Sequence, residues 1–451
     1  MHSLKGVLVA ALSSIASASL QVVPGGTWTA SNGEHLQAHG AGIIKDGSLY
    51  YIIGEDKTDG SAFQNVNCYS SPDLVEWTYV GALLSETSSV PELGPNRVIE
   101  RPKVLFNEKT GKYVLYMHVD SSNYGEAKVG VATGDTVCGK YEFLYSFQPL
   151  GFQSRDMGLF QDDDGAGYLL TEDRANGLRI DALSDDYLNV TTSTYLWSDS
   201  IEAPAMLKID GTYYMFGSHL TGWDPNDNVY STSTSLTSGW SAWKTFATAG
   251  SNTYTSQTNF ILPVGSSAAI YLGDRWVSSN LMASTYVWLP LTISGTTVTM
   301  ANADSWVPNL SSTSAEASVA KPSEASYEGE AAAYGGDARD VACSACSGGT
   351  AAGYVGGPDN GTVTFSNLRS DASARTTVRV RYVNGDSTPR YANVYVNGGA
   401  AQKLAFLPTG SSVSSSSLNT DLKSGSANTI VIEGFEDGWG PDVDELIIPL
   451  E

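Results

Sequence analysis

Basic residues are scarce in this sequence. Its 25 Lys and Arg residues stand against 48 Asp and Glu residues, and the formal net charge is −23 at pH 7. A surface with this charge repels phosphate backbones and anionic lipid headgroups. We therefore expect no nucleic acid and no membrane among the partners, and a neutral or cationic polymer suits the charge better.

Long apolar runs are also missing beyond the first twenty residues, so no later segment has the length that a membrane span needs. Inside that first stretch, His2 and Lys5 precede an apolar run at 7–12, and small residues follow at 16–18. This layout is typical of a secretory signal peptide. We predict a signal peptide at 1–20 and a secreted, extracellular product.

Cysteine is rare, with four residues that fall into two separate regions. Export permits disulfides, so we predict that Cys68 pairs with Cys138 and that Cys343 pairs with Cys346. The close pair also has the spacing of half a zinc site, but no second Cys or His pair accompanies it. Three glycosylation sequons agree with a secreted glycoprotein, and they begin at Asn189, Asn309 and Asn360.

Charged residues are few as well, at 16%, whereas the chain has 46 Gly, 24 Tyr and 10 Trp residues. This composition favours many short strands over long helices, so we predict an all-β protein. Five segments repeat one pattern, in which a polar residue and a short apolar strand precede a glycine-containing turn and an aromatic-rich strand. The segments begin at Leu36, Glu100, Arg155, Glu202 and Gln257. Their spacing leaves room for four-stranded blades and predicts a five-bladed β-propeller over 21–308.

The first strand of each propeller blade starts beside the central channel. The repeats therefore bring these polar positions to one cavity: Gln37 or His39, Glu100, Asp156, Glu202 and Gln257. Carboxyl groups that crowd together cost free energy unless chemistry or ligand binding uses them. Hydrolysis of a glycosidic bond with inversion needs one carboxylic acid and one base on opposite faces of the sugar. Glu100, Asp156 and Glu202 supply carboxyl groups for such chemistry.

A change of composition marks a second domain. The stretch at 309–323 is rich in Ser and Ala and has no aromatic residue, which is typical of a linker. From 324 to 451, apolar and polar residues alternate with a period of two, as in half-buried antiparallel strands. The length and the pattern predict a β-sandwich.

The first domain resembles glycoside hydrolase family 43, whose members are five-bladed propellers with an acidic central site. The family marks are ERPKV at 100–104, SRD at 154–156, EAP at 202–204 and GDRW at 273–276. Within the family, the chain is similar to the branch that contains exo-β-1,3-galactanases. The marks of that branch are QAHGAG at 37–42, GEDK at 54–57, DSSNYG at 120–125, QDDD at 161–164 and YTSQ at 254–257.

The resemblance implies that Glu202 is the general acid and that Asp156 tunes its pKa. Most of the family carries an aspartate base in the first blade, but the matching stretch at 39–42 has no carboxylate here. In the galactanase branch, a glutamine that matches Gln257 activates water as an imidic acid, and Glu100 is the competing candidate for the base. The residues expected to bind sugar are Gln37, His39, Glu55, Tyr124 and Trp223. For Trp223, core packing is the alternative role.

The second domain resembles carbohydrate-binding module family 35, whose members are calcium-stabilised jelly-roll sandwiches. The marks are SYEGE at 326–330, GYVGG at 353–357, YVNGDS at 382–387, VYVNGG at 394–399 and GWGPDVDELII at 438–448. The resemblance implies that a structural Ca²⁺ is bound by Glu328, Glu330 and Asp444. It implies sugar contacts at Tyr354, Asn384, Trp439 and Asp442.

Together, these features lead us to expect a secreted, monomeric, inverting exo-β-1,3-galactanase that releases galactose from the β-1,3-galactan main chain of arabinogalactan. Its catalysis is expected to need no cofactor. One alternative is an arabinofuranosidase or β-xylosidase of the same propeller family, which the missing first-blade aspartate argues against. The other is a lectin-like galactan binder that has lost catalysis.

Overall fold

The computed structural model describes residues 20–264, 268–308, 310 and 323–450. The predicted signal peptide at 1–20 and linker at 309–323, with Asn309, lie almost entirely outside the described residues. Within the described ranges, no helix is long and apolar enough to cross a membrane.

Strands make up most of the described chain, which confirms the predicted all-β class. The helical segments that the structure describes are each one turn or less. They are Pro91–Leu93, Pro149–Gly151, Asn252–Thr255, Leu281–Ala283, Gly329–Ala331 and Ser347–Gly349.

The described residues between 39 and 300 form separate sheets of four antiparallel strands, and the strands of each sheet follow one another in chain order. A two-residue strand, β1 (Thr27–Trp28), precedes them. Sheet I contains β2 (His39–Asp46), β3 (Leu49–Glu55), β4 (Asn65–Ser71) and β5 (Thr78–Ser85), and sheet II contains β6 (Arg97–Asn107), β7 (Lys112–Ser121), β8 (Lys128–Gly134) and β9 (Glu142–Phe147). Sheet III contains β10 (Met157–Gln161), β11 (Gly167–Asp173), β12 (Gly177–Leu183) and β13 (Val190–Trp197). Sheet IV contains β14 (Ile201–Ile209), β15 (Thr212–His219), β16 (Val229–Ser233) and β17 (Lys244–Thr245), and sheet V contains β18 (Gln257–Val264), β19 (Ala268–Arg275), β20 (Thr285–Ser294) and β21 (Thr297–Met300).

The first strands of these five sheets lie next to one another. Strand β2 contacts β6, β6 contacts β10, β10 contacts β14, β14 contacts β18, and β18 contacts β2. Apolar clusters fill the space between neighbouring sheets: one joins sheets I and II, one joins II and III, one joins III and IV, and a larger one joins IV, V and I. The starts of the first strands, which carry the predicted polar residues, are therefore close together.

Residues 323–450 form two further sheets. Their strands are β22 (Glu324–Glu328), β23 (Ala333–Gly335), β24 (Arg339–Ala342), β25 (Thr350–Gly353), β26 (Thr362–Ser370), β27 (Ala374–Val383), β28 (Arg390–Val396), β29 (Gln402–Phe406), β30 (Ser414–Leu422), β31 (Gly425–Gly434) and β32 (Asp442–Pro449). Sheet VI has the order β1-β30-β27-β32-β25-β24, and β22 also pairs with β32. Sheet VII has the order β23-β26-β31-β28-β29. One apolar core contains Val380 and Leu446 from sheet VI and Phe365 and Ile432 from sheet VII. The period-two alternation therefore places one face of each sheet in a shared core.

The N-terminal segment connects the two groups of sheets. Strand β1 pairs in parallel with β30, so residues 27–28, which lie in the range predicted for the first domain, join a sheet of the second. The hydroxyl groups of Thr27 and Tyr382 share a buried hydrogen bond of 2.8 Å. At the surface, Arg375 forms an ion pair with Glu76. Backbone and side-chain contacts thus hold sheet VI against the first group of sheets.

Both predicted disulfides, Cys68–Cys138 and Cys343–Cys346, are confirmed. Cys68 lies in β4 of sheet I and Cys138 lies between β8 and β9 of sheet II, so this bond links two neighbouring sheets. The described part of the chain has no free cysteine, which leaves no thiolate for the zinc alternative.

Candidate active site

Three first strands carry the same β-bulge directly after a polar residue. The ladder register shifts just after His39 in β2, Glu100 in β6 and Glu202 in β14. The next residue has a positive φ in each strand: 56° at Gly40, 51° at Arg101 and 55° at Ala203. Residues other than glycine enter this left-handed region at a cost of about 1–3 kcal/mol. Bulges re-aim neighbouring side chains, and these three lie where the first strands meet.

The backbone N–H group of each bulge residue donates to a carboxylate from a neighbouring sheet. The pairs are Gly40 with Asp274 at 2.7 Å, Arg101 with Glu55 at 2.7 Å and Ala203 with Asp156 at 3.1 Å. Each of these hydrogen bonds satisfies a backbone donor that the bulge leaves outside the ladder, so they offset part of the backbone strain. They also fix the position of each acidic side chain.

A cavity of about 230 Å³ lies at this end of the first strands. Seven of the residues that the sequence predicted for the site line this cavity: Glu55, Glu100, Tyr124, Asp156, Glu202, Trp223 and Gln257. The other lining residues were not predicted as site residues: Arg101, His118, Arg155, Arg174, Gly222 and Trp276. The repeats thus brought the predicted carboxyl groups to one place.

Glu202 is buried in the cavity wall, with 6% of its surface exposed. Burial, and then the nearby Asp156 carboxylate, raise its pKa to about 8 against the opposing effects of Arg101 and Arg174. Its Oε1 accepts a hydrogen bond from Nε2 of Gln257 at 3.0 Å, and its Oε2 lies 3.7 Å from the Arg174 guanidinium. At neutral pH, Glu202 therefore holds a proton that it can donate.

Glu100 has the opposite protonation state. Burial opposes its ionisation, but Lys57, His118 and Tyr124 outweigh that effect and lower its pKa to about 2. The Tyr124 hydroxyl donates to Oε1 at 2.8 Å, and Nδ1 of His118 lies 3.3 Å from Oε2. Nζ of Lys57 lies 3.7 Å from Oε1. One cavity thus holds a protonated and an ionised carboxyl group near neutral pH.

His118 is the cation that joins Glu100 to a second carboxylate. Its Nε2 lies 3.0 Å from Oδ2 of Asp120. Burial lowers the pKa of His118, but the hydrogen bonds to Asp120 and Glu100 outweigh burial and raise it to about 9. The charged ring therefore helps to keep Glu100 ionised.

Arg101 connects three other groups of the site. Its Nε lies 2.8 Å from Oδ2 of Asp156, and its terminal nitrogens donate to Oε1 of Gln257 at 2.6 Å and to Oδ1 of Asn259 at 3.1 Å. A guanidinium stays charged and presents its donors in one plane. Arg101 therefore neutralises Asp156 and orients the amide of Gln257.

Two tryptophans form an aromatic wall. The rings of Trp223 and Trp276 lie 5.2 Å apart and nearly perpendicular to each other. Trp223 is 38% exposed in the loop after β15, so core packing does not account for it. An exposed indole beside carboxylates can pack on the C–H face of a sugar while the carboxylates bind its hydroxyls.

A second aromatic pair lies on the C-terminal sheets. Tyr354 and Trp439 are about 40% exposed, and their rings are 6.0 Å apart. The Arg339 guanidinium lies 3.4 Å above the Tyr354 ring. Asp442, the first residue of β32, has a pKa that burial raises. The positions predicted for Tyr354 and Trp439 are thus accessible to a polymer.

Asn384, in contrast, is not available to a ligand. It is fully buried, and its amide donates to the carbonyl oxygens of Thr388 and Phe406. Its side-chain oxygen accepts from the backbone N–H of Asp386. In this structure the Asn384 side chain stabilises its own loop, so the sugar contact expected at this position stays a prediction that these contacts do not favour.

The predicted calcium ligands Glu328, Glu330 and Asp444 each have a buried carboxylate oxygen without a hydrogen-bond partner. The other oxygens of Glu328 and Asp444 accept from the Oγ and N of Ser347. A set of three carboxylates fits the chemistry of Ca²⁺, which prefers oxygen ligands. In the part of the chain that the structure describes, however, no three His, Cys, Asp or Glu side chains are gathered closely enough to hold a metal.

Comparison with known proteins agrees with this site. The family model described as glycosyl hydrolases family 43 matches residues 37–260. A solved exo-beta-1,3-galactanase from Phanerochaete chrysosporium, with galactose, is 40% identical; the match covers 95% of this chain and 99% of that chain, with a TM-score of 0.67. The chain belongs to glycoside hydrolase family 43. A second solved exo-beta-1,3-galactanase, from Clostridium thermocellum, is 28% identical, with coverage of 94% and 99% and a TM-score of 0.63.

A curated relative matches only part of the chain. The beta-D-galactofuranosidase xynD of Aspergillus niger is 31% identical over an alignment of 204 residues, and the match covers 41% of this chain. The chain spans 56% of the length of that relative. A second family model, described as alpha-galactosidase, CBM13 domain, matches residues 362–447. The C-terminal sheets are therefore similar to a carbohydrate-binding module, but this match is not to module family 35.

Within the stretch 39–42, which lacks the carboxylate of most family 43 members, position 40 has no room for a side chain. A Cβ atom on Gly40 would lie 2.1 Å from Oε1 of Glu55 and 3.2 Å from the backbone of Arg101. Glu55 thus fills the space that a side chain at position 40 would need. Strand β3, and not β2, supplies the carboxylate of sheet I.

Gln37 and His39 do not line the cavity. The Gln37 amide donates to the carbonyl oxygen of Met282 and accepts from the backbone N–H of Lys57. His39 is fully buried, with Nδ1 3.1 Å from Asp274. The prediction of direct sugar contacts at these positions is not supported, because both side chains serve the packing of sheets I and V.

The residues that sequence reasoning missed fall into two groups. Arg101 and Trp276 stand inside the ERPKV and GDRW motifs, so their motifs marked them although no role was assigned. His118 and Arg174 stand on or after the second strand of a sheet, outside any quoted motif. The ladder of β6 and β7 places His118 opposite Glu100, and the turn after β11 places Arg174 at the cavity wall.

Proposed function

We propose that this chain is a secreted, inverting exo-β-1,3-galactanase that releases galactose from the β-1,3-galactan main chain of arabinogalactans. One observation carries the proposal: the pKa values of Glu202 and Glu100 are moved apart, to about 8 and about 2, in a single cavity. Such a pair provides an acid and an ionised group at the same pH. The likeness to two exo-beta-1,3-galactanases supports the choice of substrate.

The size of the cavity supports action at a chain end. Its volume is about 230 Å³. Pockets for drug-sized ligands measure about 300–1,000 Å³. A smaller cavity suits one terminal sugar ring, so the enzyme would remove single residues.

In the proposed reaction, Glu202 gives its proton to the glycosidic oxygen as the bond between that oxygen and C1 breaks. Asp156 favours the protonated state of Glu202 beforehand, and Arg174 stabilises the carboxylate that remains. A water molecule attacks C1 from the opposite face and loses a proton, which gives galactose of inverted configuration. Glu55, Glu100 and Tyr124 bind sugar hydroxyls.

Glu100 and Gln257 are the two candidates for the group that accepts the proton of the attacking water, and Gln257 could do so only after it releases one of its four hydrogen bonds. Azide is a nucleophile that needs no deprotonation, so it replaces water when the base is missing. The Glu100→Ala and Gln257→Ala variants should therefore be compared with and without azide. The variant that lacks the base recovers turnover and forms a glycosyl azide, and the other does not.

We further propose that sheets I–V are the blades of a five-bladed propeller over 21–308 and that sheets VI and VII form a jelly-roll sandwich over 324–451. Each first strand contacts the first strands of two other sheets, and apolar clusters fill the space between neighbouring sheets. Both features support the propeller. The core shared by the last two sheets supports the sandwich.

The C-terminal sheets would keep the enzyme on its polymer, which raises the local concentration of chain ends. Tyr354, Trp439 and Asp442 form the proposed sugar site. Glu328 at the end of β22, with Glu330 and Asp444, would hold Ca²⁺ only if the three carboxylates moved closer together than they lie in this structure. When bound, the ion would supply positive charge to buried carboxylate oxygens that lack a hydrogen-bond partner, and it would stabilise the pairing of β22 with β32.

Secretion and a monomeric state complete the proposal. The two disulfides and the exposed positions of Asn189 and Asn360 suit an extracellular glycoprotein. The signal peptide at 1–20 is the predicted export signal.

The test uses the purified protein with β-1,3-galactan, β-1,6-galactan, arabinan and xylan. We expect galactose from β-1,3-galactan alone, an inverted anomer by NMR, and no turnover in Glu202→Gln, which still binds. Release of arabinose or xylose would favour the alternative hydrolases, and binding without any product would favour the lectin-like protein. A retained anomer would exclude direct attack by water.

A further inference from the structure

The amide of Gln257 has all of its hydrogen-bonding positions occupied. Its oxygen accepts from Arg101 at 2.6 Å and from Nε1 of Trp276 at 3.0 Å. Its nitrogen donates to Oε1 of Glu202 at 3.0 Å and to Oγ of Ser218 at 3.1 Å. A glutamine amide has two acceptor sites and two donor sites, so none remains free.

These partners permit only one orientation of the amide. Guanidinium and indole nitrogens are donors without an acceptor site. A rotated amide would point its NH₂ group at two donors, leave its oxygen facing the Glu202 carboxyl group, and lose the bonds to Arg101 and Trp276. Nε2 of Gln257 is thereby held on Oε1 of Glu202.

The state of Glu202 follows from this contact. Because Oε1 accepts an N–H, a proton on the carboxyl group is carried by Oε2. Oε2 lies 3.7 Å from Arg174, a half-exposed residue of the cavity wall. The proton therefore sits on the oxygen on the Arg174 side of the cavity wall.

We propose that Ser218 and Trp276 are positioning residues, which act through Gln257 to fix the proton of the catalytic acid on Oε2 of Glu202. This inference rests on the proposed function. During the reaction the proton moves from Oε2 to the glycosidic oxygen, the electrons of the broken C1–O bond stay on that oxygen, and Oε1 keeps its hydrogen bond from Gln257. Ser218 is well placed for this role, because it is fully buried and lies directly opposite Glu202 in the ladder of β14 and β15.

The test compares two leaving groups. β-1,3-Galactobiose releases a sugar alcohol that must be protonated, whereas 2,4-dinitrophenyl β-galactoside releases a stable phenolate that needs no acid. General acid catalysis contributes about 10²- to 10⁴-fold, so loss of positioning should remove part of that factor. We expect Ser218→Ala to lower kcat on galactobiose about 10-fold or more, and on the aryl substrate less than about 2-fold, with unchanged KM. Ser218→Thr, which keeps the hydroxyl, should restore most of the loss.

Two further variants complete the design. Trp276→Phe removes the indole donor and should show the same dependence on the leaving group, which keeps the test valid if Ser218→Ala does not fold. Ser231→Ala is the matched control, because Ser231 is a buried serine of the same sheet whose hydroxyl donates to the carbonyl oxygen of Ser241. It should leave both rates unchanged.

Equal losses on both substrates, or no loss on galactobiose, would overturn the positioning role. Failure of the proposed function gives a different result, since the wild type would then release no galactose from galactobiose or Glu202→Gln would keep its rate. With wild-type turnover present and Glu202→Gln inactive, the Ser218 result judges the positioning role alone.

Discussion

Replacing Asp156 with Asn should move the alkaline limb of the pH–rate profile to lower pH. Glu202 acts as an acid only while it is protonated, so the rate falls as the pH rises through its pKa, which burial and Asp156 raise to about 8. Asp156 bonds the backbone N–H of the residue after Glu202, which places the two carboxyl groups close together. Two unit charges about 6 Å apart interact by roughly 3 kcal/mol at an effective dielectric constant of about 20. One pKa unit corresponds to about 1.4 kcal/mol, so the limb should move down by about one to two units.

The assay is kcat on β-1,3-galactobiose as a function of pH for the wild type and for Asp156→Asn. Asp164→Asn serves as the control. Asp164 is exposed in the turn between β10 and β11, so this substitution removes the same charge at a place far from Glu202. Its alkaline limb should not move. An unmoved limb in a folded, active Asp156→Asn enzyme would refute the argument that Asp156 raises the pKa of Glu202.

The aromatic and C-terminal features give further predictions. Trp223→Ala should raise KM for galactan about tenfold, which corresponds to about 1.4 kcal/mol, and a KM that stays unchanged in steady-state kinetics would show that the ring does not bind sugar. Tyr354→Ala with Trp439→Ala should abolish retention on immobilised galactan while the rate on galactobiose stays the same; retention by the double variant would place the polymer site elsewhere. Removal of calcium with EDTA should lower the Tm of the wild type but not the Tm of the double variant Glu328→Gln/Asp444→Asn. An unchanged wild-type Tm would argue against a bound calcium ion.

Much of the site could be predicted because it repeats. Glu100, Asp156, Glu202 and Gln257 stand at equivalent places in the repeats, next to the start of a first strand, so a linear pattern encodes their convergence. Equivalent position alone does not show what a side chain contacts, and Gln37 illustrates this. It starts the first repeat in the same way, but its amide is consumed by backbone groups.

The residues that could not be predicted depend on contacts between strands that are distant in sequence. His118 faces Glu100 because their positions pair in the ladder of β6 and β7, and Ser218 faces Glu202 for the same reason in β14 and β15. The pairing of β1 with β30 joins residues almost 400 positions apart, and the two-residue length of β1 leaves no pattern to detect. Asn384 illustrates a third limit of the sequence, since a loop asparagine that binds sugar and one that stabilises its own loop look the same in a sequence.

Asp156 has two roles that need separate tests: its charge acts on Glu202, and its side chain accepts a hydrogen bond from the bulge at Ala203. Asp156 accepts the N–H of Ala203, whose backbone is in the left-handed region, and Glu55 does the same for Arg101. Alanine at either acidic position would remove the charge and also leave a strained, buried N–H without a partner, at a cost of about 1–3 kcal/mol. Asparagine or glutamine keeps the accepting oxygen and removes only the charge. A pH profile measured on the amide variants therefore reports electrostatics, whereas the difference in stability between the amide and alanine variants measures how strongly each acidic side chain holds the adjoining sheet.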